Sequence, residues 1–158
     1  MARSHYIQPI APTEASITTR LGASAAAYTQ KEEGKIVKLA AESQYNLAVA
    51  GDEIEGIVTS VESATQNQFT IAGVSVEFDR ATVVFDGLQA TPGTGVVAIG
   101  DYVVAGTITA AGTALTSYPK VCKATGAGTT LNHKFRVVSL GTAGTGAVGT
   151  TGVIQRVC

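Results

Sequence analysis

The chain has no tryptophan, two histidines, two cysteines, one methionine and four prolines. Each scarcity excludes something. Two cysteines cannot supply a four-thiolate zinc site or a disulfide scaffold. A histidine-dependent triad would have to use His5 or His133, and neither sits in a Gly-x-Ser-x-Gly elbow. Aromatics are 6% of the residues, so a sugar-stacking platform has few faces to offer. Charged residues are only 15% and the net charge is −1, which leaves no electrostatic footprint for nucleic acid or an anionic membrane. Apolar runs such as Val96-Val97-Ala98-Ile99 fall far short of the roughly 20 residues that a membrane-spanning helix needs.

What is there is a globular composition: 45% hydrophobic residues in 158. A chain of that length buries roughly 70% of its unfolded surface, enough for a core without staples. Met1 to His5 is followed by Tyr6-Ile7-Gln8-Pro9 rather than a sustained apolar segment, so synthesis in the cytoplasm is expected. The low net charge is a cancellation. Residues 1–101 hold all twelve acids and six bases, a balance of −6, whereas residues 102–158 hold five bases and no acid. The two halves either neutralise each other within one fold or meet head to tail between subunits.

The pattern is that of an all-β protein, a single β-sandwich or small β-barrel with an extended N-terminal arm and a Gly/Thr-rich hairpin tip. Residues 1–30 read as the arm, because Pro9 and Pro12 interrupt regular structure and Ile7, Ile10, Ile17 and Leu21 are isolated anchors. Residues 31–158 read as the β-rich domain. Glu53 to Glu62 is β-branched and apolar on both parities, as expected of a strand buried on both faces. Val74 to Asp79 alternates, with Val74, Val76 and Phe78 inward. Ala40 to Ala50 is the best helix candidate, weakened by Asn46 and Gly51. Gly141 to Gly152 is nearly low complexity and is flanked by strand candidates at Phe135 to Leu140 and Val153 to Val157.

One internal echo stands out. Gly51-Asp52 and Gly100-Asp101 each precede a β-branched strand, the glycine supplying a tight turn and the aspartate an acceptor for nearby backbone N–H groups. No nucleophile, phosphate loop or metal-ligand spacing emerges. Asp52, Glu53 and Glu55 are the densest acidic group, but alternation sends Glu53 and Glu55 one way and Asp52 the other. Glu32-Glu33, beside Lys31 and Lys35, reads as a solvated turn. Cys122, between Lys120 and Lys123, reads as a buried strand residue, and its pairing with Cys158 is left open. The expectation is no enzyme, no catalytic residue, no cofactor and no metal.

The stretch Tyr28-Thr29-Gln30-Lys31 through Gly34-Lys35-Ile36-Val37-Lys38-Leu39, followed by Gly51-Asp52-x-Ile54-x-Gly56-x-Val58-x-Ser60-Val61-Glu62 and Gly100-Asp101-Tyr102-Val103-Val104, resembles capsid decoration (cement) proteins of tailed bacteriophages. The resemblance covers roughly residues 28–109. It implies a structural virion protein that binds the outer capsid surface, with the major capsid protein and its own copies (a homotrimer) as partners, and neither nucleic acid nor membrane. It also implies that an N-terminal arm carrying Ile7, Ile10, Ile17 and Leu21 contacts the shell, with Gly51, Asp52, Gly100 and Asp101 at turns or interfaces. A carbohydrate-binding or adhesin-like β-sandwich on a virion or cell surface is the alternative.

Overall fold

A computed structural model describes residues 7–9, 16–22, 28–62, 70–126, 128 and 130–157. The all-β expectation holds, in the form of two sheets. The first is a closed five-stranded barrel ordered β2-β4-β3-β5-β6. Its strands are β2 (Ile17–Leu21), β3 (Ile36–Ala41), β4 (Gln44–Leu47), β5 (Gly56–Glu62) and β6 (Thr70–Ser75). Closure leaves the barrel no unpaired edge. The second sheet contains β1 (Ile7–Pro9), β7 (Phe78–Leu88), β8 (Thr91–Pro92), β9 (Tyr102–Ala105), β10 (Lys120–Lys123), β11 (Lys134–Ser139) and β12 (Thr151–Val157). Its order is β1-β7-β10-β9-β11-β12, and β12 pairs back onto β7.

β2 corrects the expected arm. It pairs in parallel with β4 and antiparallel with β6, so it is the stave that closes the barrel. Leu21 is 0% exposed and packs with Val37, Tyr45, Leu47, Val58, Val61, Ala72 and Val74 in the barrel core. A side chain so buried is not free to anchor on a partner. Ile17, at the other end of β2, remains largely exposed. β1 lies antiparallel on β7, with Ile7 opposite Ala81. Ile10 lies outside the described residues, as does Cys158.

The larger core belongs to the second sheet. Phe78, Val83, Phe85, Val103, Val121, Phe135, Val137 and Ile154 form it together with Ile36 and Ile57 from barrel strands and Ala48 and Ile54 from the β4–β5 connection. The rings of Phe78 and Phe135 stack with centroids 4.9 Å apart. This joint core explains the two-sided apolarity of β5: Ile57 enters it, while Val58 and Val61 fill the barrel. The alternation over Val74 to Asp79 is real at its ends but belongs to two strands. Val74 points into the barrel and Phe78 into the joint core, and the chain crosses between sheets at Val76-Glu77.

Residues Ala40 to Ala50 form no helix. They contain the β3–β4 hairpin, with Ser43 at φ 54 in its turn and Tyr45 and Leu47 alternating inward. The Gly/Thr-rich tip joins β11 to β12 as expected, and it is held to the body. Val97 N–H donates to Gly146 O at 2.9 Å, and Gly149 N–H donates to Phe85 O at 2.8 Å.

Candidate functional site

The two Gly-Asp turns are built alike. Gly51 and Gly100 have φ of +93° and +91°, a left-handed conformation that favours glycine. The Asp52 carboxylate accepts from Val49 N–H at 2.7 Å, and that of Asp101 accepts from Ala98 N–H at 2.8 Å. Each carboxylate also takes a lysine from a neighbouring strand, Lys38 on Asp52 at 2.8 Å and Lys123 on Asp101 at 3.0 Å. Each turn then makes two backbone hydrogen bonds to one strand residue. Gly51 N–H donates to Ala105 O while Ala105 N–H donates to Asp52 O, and Gly100 and Asp101 make the same pair of bonds with Val137. The first turn therefore ties the barrel to β9 of the second sheet.

Next to the first turn, Glu53 and Glu55 point the same way and Asp52 the other. The Glu53 carboxylate receives the backbone N–H of Asn132 at 3.1 Å and of His133 at 3.0 Å. Burial pushes its pKa up, but these N–H donors and the His133 ring outweigh that, and the net shift is downward. Glu55 accepts the backbone N–H of Leu39. One ligand atom from each of Glu53, Glu55 and His133 lies within 4.8 Å of the other two. Sequence reasoning singled out the two glutamates and missed His133, which is 80 residues from Glu53 along the chain.

A second polar centre corrects the solvated-turn expectation. Glu32 is 0% exposed and Lys35 is 4% exposed. Lys35 Nζ sits 3.3 Å from Glu32 Oε1 and donates to Ala110 O at 2.9 Å. Glu32 also accepts from the N–H groups of Thr29, at 2.6 Å, and Gly112. The pair fastens the 106–119 connection over the barrel. A groove beside it is lined by Ile36, Leu47, Ile108, Leu115 and Pro119.

Cys122 is a buried free thiol that donates to Asp86 O. Burial, together with the Asp86 carboxylate, pushes it up to about 11, so it stays protonated and unreactive at neutral pH. Asp86 itself is buried and accepts from Thr107 N–H at 2.7 Å.

On the outside, Val96 (62% exposed) and Ile99 (65% exposed) stand in the β8–β9 connection, and Val148 (41% exposed) stands in the tip. A bridge between Val96 and Ala147 joins the two segments. Val49 in the first Gly-Asp turn and Leu39 on β3 are also half exposed.

Comparison with protein-family models, with curated proteins and with solved structures returns no match.

Proposed function

We propose that this protein is a structural virion protein that binds the outer surface of a tailed-phage capsid as a homotrimer and stabilises the assembled head by bridging capsomers. One observation carries the reading beyond the resemblance of residues 28–109. Val96, Ile99 and Val148 are presented to solvent on connections fixed by backbone hydrogen bonds. Aliphatics held on rigid turns lose little conformational freedom on binding, so their burial against a partner translates efficiently into affinity. A ligand that binds the assembled shell better than separated subunits stabilises the shell by mass action, and a trimer multiplies the effect through effective concentration. On this reading Ile17 and the turn-borne aliphatics make contacts, and Leu21 serves the barrel.

The test is co-sedimentation with purified heads of the cognate phage stripped of the protein, alongside the double variant Val96→Asp/Ile99→Asp. Wild-type protein is expected to pellet with the heads. The variant should keep its β-rich circular dichroism and stay in the supernatant. Wild-type protein that never pellets, or a variant that pellets equally well, would overturn the proposal. Saturable binding on a glycan array would instead favour the carbohydrate-binding alternative.

A further inference from the structure

We infer that Glu53, Glu55 and His133 form a binding site for a first-row divalent transition metal of the zinc class, which would clamp the β4–β5 connection to the β10–β11 connection. The inference is independent of capsid binding. His133 Nδ1 is shielded from solvent and meets Glu53 as a long ion-pair contact that lacks hydrogen-bond geometry. It lies 3.4 Å from Glu53 Oε2. A charge-assisted N–H···O contact would close to about 2.7–2.9 Å. Two ligand atoms on one tetrahedral zinc, each about 2.0–2.1 Å from the ion, stand about 3.3–3.4 Å apart. The Glu53–His133 spacing matches one coordination edge, and the Glu55 ligand atom, within 4.8 Å of both, would close in to complete the other two.

The carboxylates are also oriented in advance. Backbone N–H groups of Asn132 and His133 fix Glu53, and that of Leu39 fixes Glu55, the kind of outer-shell support that metal ligands have. Two carboxylates and a neutral imidazole balance a dication, with water completing the sphere. The imidazole selects against calcium and magnesium, which prefer all-oxygen surroundings. Asp52 takes no part, because it is committed to Lys38 and Val49.

The test uses the full chain, untagged and chelator-treated, titrated with Co²⁺ as a spectroscopic probe and with Zn²⁺, Ca²⁺ and Mg²⁺ in thermal melts. The expected result is an intense visible Co²⁺ band, displaced by Zn²⁺, and a rise in Tm with Zn²⁺ but not with Ca²⁺ or Mg²⁺. His133→Ala should lose both signals, with affinity at least about tenfold weaker. Glu55→Gln, which leaves the Glu53–His133 contacts in place, should weaken binding too and covers the case in which His133→Ala fails to fold. No Co²⁺ band in the wild type, a preference for Ca²⁺, or unchanged binding in Glu55→Gln would overturn the inference.

Discussion

Leu21→Ala separates a barrel stave from a free arm. Leu21 is fully buried, and its strand is hydrogen-bonded on both edges, so the backbone has little room to collapse into a void. The substitution removes three buried carbons, worth about 2–2.5 kcal/mol at ~0.8 kcal/mol each. A residual void of some tens of Å³ adds on the order of 1 kcal/mol at ~24 cal/mol per Å³. The expected loss is therefore about 3–4 kcal/mol, a large fraction of the roughly 5–15 kcal/mol that holds an ordinary domain together. Urea unfolding followed by circular dichroism measures it, with Ile17→Ala on the same strand as the control. Ile17 is 41% exposed, so its truncation should cost at most about 1 kcal/mol. If both variants unfold at the same urea midpoint as the wild type, β2 does not close the barrel in solution and the packing argument fails.

Two more perturbations probe the buried polar groups. Lys35→Met keeps the aliphatic stem but leaves the Glu32 carboxylate without its cation, and should cost about 3 kcal/mol in urea unfolding. The double variant Glu32→Gln/Lys35→Met should recover part of that, and a single-variant loss below about 1 kcal/mol would show that the pair is solvated. For Cys122, the folded pKa of about 11 lies above the ordinary value near 9, so the unfolded thiol ionises first. Its contribution to stability is complete below the unfolded pKa and is lost as pH rises through the folded one. Stability should fall more steeply between about pH 9 and 11 in the wild type than in Cys122→Ala, and equal slopes would contradict the assigned burial.

Features that depend on a few adjacent residues were legible in the sequence. The Gly-Asp turns, the two-sided strand after Glu55 and the glycine-rich hairpin tip each carry their cause locally. What escaped depends on distant partners. β2 offers only Leu21 and Thr19 as buried residues in a five-residue strand, too weak a pattern to distinguish from a tail. The crossing at Val76-Glu77 leaves the alternation of inward residues nearly intact on both sides, so one long strand and two short ones read alike. Glu32 and Lys35 look like surface charges until Ala110 and Gly112 cover them. His133 joins Glu53 only because β9 and β11 are neighbours in the second sheet and the first Gly-Asp turn bonds to β9.

The charge split at Asp101 would, if unpaired within the chain, attract one subunit to another. Of the five late bases, Lys123 pairs with Asp101 at 3.0 Å and Lys120 approaches Asp86 at 3.9 Å. The late backbone at Asn132 and His133 is spent on the early carboxylate of Glu53. These contacts join acids of residues 1–101 to β10 and the β10–β11 connection within one chain. The cancellation of −6 and +5 is therefore partly internal. Charges paired in this way add little to a long-range field that could steer a partner, which shifts the weight of affinity toward contact. That places the weight of any interface on the exposed aliphatics of the turns. On the proposed function, binding to a capsid or a second copy is expected to be only weakly sensitive to salt, an outcome that co-sedimentation at rising ionic strength would reveal and a steep loss by 0.5 M salt would contradict.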